Sequence, residues 1–163
     1  MATATKYVRP QAMQEAAWGG YTHRWDFSWE DFFGVTVGAN TDMTFTVGTV
    51  EAGDQVVQAH LHLTTAFSDA SDTAFNSITL DFGDANSATR YFNGVQIDVN
   101  GSEVIDSYLD PTGDYIYTGA DTLKVNFNSM SGKDLTNVDT GSGYIEFTLL
   151  KHSHPRKNPG PPL

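Results

Sequence analysis

Two histidines separated by a single residue, His60 and His62, are the first candidates for chemistry in this sequence. They lie in the run QVVQAHLHLTT, whose period-2 alternation is that of a β-strand, so both imidazoles share one face and could share a metal ion. A catalytic zinc site uses three protein ligands, and the next acidic residue after the pair is Asp69. The sequence therefore predicts two half-exposed histidines on the outer face of a sheet and no metal site.

The 20 acidic residues form many accidental pairs, and none stands out as the carboxylate pair of a glycosidase. Two acidic loops, Asp69 to Asp72 and Asp81 to Asn86, have the composition of calcium loops but lack the ligand spacing that fixes an ion. The sequence has no nucleophile elbow, no phosphate-binding glycine loop and no dinucleotide fingerprint. We therefore predict solvated turns at both acidic loops, no cofactor, no catalytic residue and no enzymatic activity.

Charge divides the chain into an acidic centre and two basic ends. The formal net charge is -11, and all acidic residues lie between Glu15 and Glu146. The ends carry five of the nine basic residues, namely Lys6, Arg9, Lys151, Arg156 and Lys157. An acidic body repels phosphate backbones, so we expect no nucleic-acid partner for the folded part. The sequence also has no cysteine, no signal-peptide pattern and no apolar run of membrane-spanning length, so we expect no membrane partner.

Alternating apolar residues predict that the chain is built of β-strands. The clearest run is Tyr21–Trp29, YTHRWDFSW, and similar runs continue as far as Tyr144–Lys151. Turns rich in Gly, Asn and Asp separate about eight or nine such runs, and the i, i+3, i+4 spacing of amphipathic helices is nearly absent. The predicted fold is an all-β antiparallel sandwich of the jelly-roll type.

Composition predicts three regions along the chain. Residues 1–20 form an extended N-terminal arm, residues 21–151 the β-sandwich domain, and residues 152–163 a basic tail. Four of the six prolines fall in that tail, which therefore cannot continue a strand ladder. We expect both ends to extend from a compact acidic body.

Three stretches carry a resemblance to a known class of proteins: LTTAF at Leu63–Phe67, ITLDFGD at Ile78–Asp84, and RYF at Arg90–Phe92. Their cadence of strand, loop and turn resembles the small β-sandwich virion proteins of tailed bacteriophages that decorate or cement the capsid. The likeness spans about residues 55 to 150. It implies a protein made in the host cytoplasm that assembles as dimers or trimers on the exterior of the phage head. There it would bridge neighbouring copies of the major capsid protein through extended termini.

The leading hypothesis is therefore a non-enzymatic capsid cement or decoration protein. The candidate capsid contacts are the charged and aromatic residues of the two ends: Lys6, Tyr7, Arg9, Lys151, Arg156 and Lys157. Disordered arms suit this role because they wrap large surfaces when they order on binding.

Two alternatives come from other functional classes. The first is a tail or fibre module that binds host glycans by stacking sugars on Trp25, Trp29 or loop tyrosines. The second is a cupin-like metal protein that uses His60 and His62. In cupins an H-x-H pair follows a glycine and precedes a glutamate, whereas Gly53 lies one residue too far upstream.

Overall fold

The computed structural model describes residues 2–5, 9–10, 22–33, 39–98, 106–109 and 115–151. Ten strands are described: β1 (Ala2–Thr5), β2 (Arg9–Pro10), β3 (His23–Ser28), β4 (Met43–Val50), β5 (Gln55–Ser68), β6 (Thr79–Asp84), β7 (Phe92–Gln96), β8 (Asp106–Leu109), β9 (Asp121–Asn128) and β10 (Thr140–Leu150). Sheet A has the order β1-β4-β9-β6-β7, and sheet B has the order β2-β3-β10-β5-β8.

The predicted all-β sandwich is confirmed. Strands β3 to β10, which are the described strands between residues 21 and 151, pair in antiparallel fashion. Two short 3-10 turns, Trp29–Phe32 and Leu135–Asn137, are the helical elements of the described ranges. No helix in the described part of the chain has the length and apolar character needed to cross a membrane. The jelly-roll type stays a prediction.

The core lies between the two sheets and is rich in aromatic rings. Alternation along β9 turns Leu123, Val125 and Phe127 inward, and all three are fully buried. Phe127 is the centre of the aromatic packing, with ring centroids 5.1 to 6.2 Å from those of five neighbours: Trp25, Phe27, Phe32, Phe45 and Phe67. Edge-to-face and tilted contacts of this kind stabilise a core beyond the area they bury.

Strand β5 contains a local departure from the predicted alternation. Ala59, Leu61 and Leu63 face the core as expected, but Val56 is buried in place of Val57. The pairing with β10 shifts by one residue between Gln58 and Val56, so Val57 is the extra residue of a β-bulge. The bulge changes which side chains point inward at the start of the strand.

Two short strands in residues 1–20 lie along the edges of the sandwich. β1 runs parallel to β4 with Ala2 opposite Met43, and β2 pairs with β3 through Arg9 and Arg24. Residues 2–5 and 9–10 are therefore extended, and their backbone pairs with sheet A and sheet B respectively. The predicted domain boundaries at residues 20 and 151 stay predictions.

Candidate functional site

A row of polar side chains crosses the outer face of sheet A. Thr44 on β4, Asn126 on β9 and Asp81 on β6 are paired across the three strands. Because paired residues share a face, and the neighbouring Phe45, Val125, Phe127 and Leu80 are buried, this row faces away from the core. It forms the floor of a groove of about 270 Å³, which is also lined by Asp42, Asp84, Ala85, Ala88, Lys124 and Asn128.

Hydrogen bonds fix the polar groups of this groove. Thr44 Oγ1 donates to Asn126 Oδ1 at 2.7 Å, and Asn128 Nδ2 donates to Asp81 Oδ2 at 2.8 Å. The backbone N–H of Gly94 donates to Asp81 Oδ1 at 2.6 Å, so both oxygens of that carboxylate are occupied. The groove is therefore a preorganised polar surface rather than a set of freely rotating side chains.

At one end of the groove, the Asp84 carboxylate is the acceptor of a buried network. Arg90 Nε donates to Asp84 Oδ2, and Arg90 Nη2 donates to Asp84 Oδ1 at 3.4 Å. The Tyr117 hydroxyl donates to Asp84 Oδ2 at 3.0 Å, and the Ser87 backbone N–H donates to Asp84 Oδ1 at 2.7 Å. Tyr117 is also hydrogen-bonded to Tyr91 through their hydroxyls, which lie 2.7 Å apart. These bonds fasten the loop after β6 to the sandwich.

Burial and hydrogen bonding keep this network in one protonation state. Burial opposes ionisation of Asp84, but hydrogen bonds from Arg90, Ser87 and Tyr117 outweigh it and lower the pKa of the carboxyl. Burial raises the pKa of Tyr91 to about 12, and burial together with the Tyr91 contact raises the pKa of Tyr117. The carboxylate stays ionised and both phenols stay protonated at neutral pH, which suits a structural role.

The prediction of solvated turns at the two acidic loops is wrong for three carboxylates. Asp69, Asp81 and Asp84 are all buried. Each accepts a hydrogen bond from a backbone N–H: Asp69 from Ser71 at 2.8 Å, Asp84 from Ser87, and Asp81 from Gly94 in β7. These short acidic side chains are shielded from solvent because they accept hydrogen bonds from nearby backbone amides.

Lys124 differs from the other basic side chains that the structure describes. The structure describes five lysine and arginine side chains, including Lys124. The other four pair with carboxylates: Arg24 with Asp26 and Glu146, Arg90 with Asp84, Lys133 with Asp72, and Lys151 with Asp54. Lys124 lines the groove and forms no ion pair with any described residue. The groove thus holds a cation beside Asp42, Asp81 and Asp84 that pairs directly with no carboxylate in the described part of the chain.

The two candidate histidines lie on the outer face of sheet B, as the sequence predicted. The ring of His62 stacks on Tyr144 at 4.9 Å, and the Arg24 guanidinium lies 3.7 Å from the centroid of the same tyrosine ring. The prediction of partial exposure is correct for His62 but wrong for His60, which is only 8% exposed. β5 is flanked by β10 and β8 rather than lying at an edge, and the rings of His62 and Tyr144 lie 6.2 and 6.4 Å from that of His60 on the same face.

The histidine pair shows no arrangement for a metal ion. The two rings are 6.2 Å apart, and the described residues contain no group of three or more His, Cys, Asp or Glu side chains placed to hold one. That no metal is bound remains a prediction.

The two tryptophans of the glycan alternative are not equivalent. Trp25 is 2% exposed and packs against Phe27 and Phe45, so of the residues that this alternative offered, Trp25 cannot stack on a sugar. Its indole nitrogen is buried and has no hydrogen-bond partner among the described residues. Trp29 is half-buried, packs against the core, and contacts Phe33 edge to face at 5.0 Å. Aromatic residues that alternate with polar ones along a strand, as in YTHRWDFSW, commonly form its buried face.

Among the predicted capsid contacts, Lys151 is the one with a described side chain. It follows β10 directly, is more than half exposed, and binds the buried carboxylate of Asp54. Arg9 is described only through its backbone in β2. Four other candidates lie outside the described residues: Lys6, Tyr7, Arg156 and Lys157.

Sequence reasoning missed the groove and the Asp84 network. The available signals were Asp84 and Arg90, six residues apart, and the polar residues that alternate with the core residues of β9. Neither signal shows that β4, β9 and β6 lie side by side, which is what forms the groove.

Comparison with solved structures finds a similar fold in a chain of the cyanophage Pam1 capsid asymmetric unit, with a TM-score of 0.52 and 21% sequence identity. The aligned part covers 77% of this chain and 80% of that chain. At this identity the likeness shows the fold alone, shared by two chains of similar length. No family model matches the chain, and no curated protein matches it.

Proposed function

We propose that the chain is a structural protein of a tailed-phage particle, a capsid cement or decoration protein that bridges neighbouring copies of the major capsid protein. The observation that carries this proposal is the likeness of its fold to a chain of the cyanophage Pam1 capsid asymmetric unit. The aligned part makes up nearly equal shares of the two chains, so the likeness involves most of the sandwich rather than a small fragment. The order of strand, loop and turn in residues 55 to 150 also favours a capsid cement or decoration protein.

The chemistry of the described residues supports a structural role over a catalytic one. The titrating groups with the largest upward pKa shifts, Tyr91 and Tyr117, are buried and hydrogen-bonded to one another. Asp84 has its oxygens occupied by Arg90, Tyr117 and loop amides. A general acid or base must reach substrate within hydrogen-bond distance, and these groups are not accessible for that.

An exposed apolar pair near the C-terminal tail is the contact region we propose for the capsid. Gln55 pairs with Leu150 on one side and with Ile116 on the other, so both apolar side chains share the outer face of sheet B. They are 45% and 48% exposed, and Lys151 and the basic tail follow immediately. An apolar centre flanked by basic residues suits a partner surface that is apolar with an acidic rim.

The first experiment locates the protein in particles. Virions of the phage that encodes the chain are purified, and the copy number of the chain is measured by quantitative mass spectrometry relative to the major capsid protein. We expect a fixed ratio to the capsid subunits and antibody labelling over the head. Absence from particles, or a few copies confined to the tail, would refute the proposal.

The second experiment measures rebinding to heads that lack the protein. Removal of residues 152–163, or the double change Ile116→Ser and Leu150→Ser, should weaken rebinding and leave circular dichroism unchanged. Phe33→Ser is the matched control, because Phe33 is 53% exposed but lies elsewhere in the chain. Charge reversal at Arg156 and Lys157 should weaken binding more at low salt, since exposed charges are screened beyond about 10 Å at 0.1 M. Equal rebinding by all variants would show that other surfaces make the contact.

A further inference from the structure

The groove on the outer face of sheet A has no role in the proposed capsid contact, which lies on sheet B. It lies over β9, and β9 is paired on both sides, with β4 and with β6. The groove is therefore in the middle of a sheet face rather than at a strand edge. Its volume of about 270 Å³ is close to the lower end of small-molecule sites, which begin at about 300 Å³.

Several polar groups in the groove have hydrogen-bonding capacity that no described residue uses. The Lys124 ammonium can donate, and so can the Asn126 amide nitrogen, since only its oxygen is engaged, by Thr44. The Asn128 amide oxygen can accept, because its nitrogen is the atom that donates to Asp81. These three side chains project from alternate residues of β9, spaced by about 6.8 Å along the strand. The groove thus offers donors and acceptors in one row.

Charge and position narrow the class of ligand. An extended peptide gains its affinity by pairing with an exposed strand edge, and β9 has none. A phosphate or another strong anion meets Asp42 and Asp81 beside the single lysine, so the net charge around it is unfavourable. The described residues also contain no group of carboxylates and histidines suited to a metal ion. What remains is a neutral ligand that both donates and accepts hydrogen bonds.

We propose that this groove binds a neutral saccharide unit. Sugar hydroxyls act as donors and acceptors at once, so they can accept from Lys124 and Asn126 and donate to Asn128 and Asp42. Ala85 and Ala88 line the groove as well and provide apolar surface for the C–H face of a sugar ring. The site differs from the tryptophan stacking considered from sequence, and it does not depend on the capsid role.

The test is a solution titration of the full chain with defined sugars. Glucose, galactose, mannose and N-acetylglucosamine are added separately to ¹⁵N-labelled protein, with glucuronate as the anionic probe. We expect at least one neutral sugar to shift the side-chain amide signals of Asn126 and Asn128 in a saturable way. Lys124→Met should raise the Kd of that sugar about tenfold or more, because it removes a charged hydrogen-bond donor. Asn126→Ala should raise the Kd by less, because it removes a neutral donor.

Lys133→Met is the matched control, since it removes the same charge outside the groove and should leave the Kd unchanged. Thermal melts establish that each variant is folded. The proposal is overturned if no neutral sugar shifts the groove signals, or if glucuronate binds more tightly than every neutral sugar. It is also overturned if both groove variants bind sugar as the wild type does, because the sugar would then bind elsewhere.

Discussion

Replacing Asp84 with alanine tests the claim that one buried carboxylate holds the loop after β6. The substitution removes the ion pair with Arg90, the acceptor of the Tyr117 hydroxyl and the acceptor of the Ser87 N–H. Removing one partner of a buried ion pair costs about 3–5 kcal/mol. Arg90 keeps 19% side-chain exposure and Tyr117 keeps its bond to Tyr91, so both recover part of the loss.

We therefore expect a loss near the lower end, about 3 kcal/mol of unfolding free energy, which corresponds to a fall in Tm of about 6–12 °C for a domain of this size. The assay is urea unfolding followed by tryptophan fluorescence at pH 7. Asp26→Ala is the control: Asp26 also pairs with an arginine, at 2.7 Å, but its side chain is 64% exposed. An exposed pair contributes about 0–1 kcal/mol.

A urea midpoint of Asp84→Ala as close to wild type as that of Asp26→Ala would show that Asp84 does not hold the loop after β6. A weaker dependence of the unfolding free energy on urea concentration in the Asp84 variant would instead indicate that its native state is already loosened before unfolding. Asp84→Asn separates shape from charge, and we expect it to lose less stability than alanine because the amide oxygen still accepts one bond.

Three further predictions concern single positions. Gly83→Ala should destabilise the protein strongly, because its Cβ would lie 2.1 Å from the Ser87 carbonyl oxygen, whereas Gly48→Ala meets nothing closer than 3.5 Å; thermal melts of the two variants compare them. The free energy of unfolding should fall as the pH rises from about 10 towards 12. The reason is that tyrosine in the unfolded chain ionises near pH 10, whereas burial raises the pKa of Tyr91 to about 12. Urea titrations should show a smaller fall in Tyr91→Phe. Burial, and then the charge of Lys151, lower the pKa of His23. The contribution of His23 to the free energy of unfolding is therefore present above about pH 6.5 and declines below it. Proton NMR of Lys151→Met should show the His23 pKa rising while staying below the ordinary value, and an unchanged pKa would contradict the assignment.

Most of the fold could be predicted from the alternation of apolar and polar residues, because side chains along a strand point alternately to a buried and an exposed face. Trp25 and Phe27 in β3 and Phe127 in β9 are buried as that period requires. Val56 shows where the rule fails. The bulge beside it depends on how β5 pairs with β10, about ninety residues later in the chain, and no local pattern contains that information.

The candidate site was much less predictable, because its parts meet only through the strand order. Asp84 and Tyr117 are 33 residues apart, and their contact requires the chain after β8 to return beside the start of β5, where Ile116 bridges Gln55. Lys124 was predicted only as a polar residue in a strand. Whether a described carboxylate pairs with it depends on which strands flank β9, and therefore on the sheet rather than on its sequence neighbours.

The central position of β10 in sheet B has a consequence for biosynthesis. β10 is paired with β3 on one side and β5 on the other, yet it is the last described strand that a ribosome makes. Until it emerges, β3 and β5 have no partner between them, and the aromatic rings of Phe27 and Phe67 have no complete core to enter. Chains with such long-range pairing fold slowly and expose unpaired edges while they do so. Recovery of soluble protein should therefore depend on chaperone capacity during translation, even when the finished sandwich is stable.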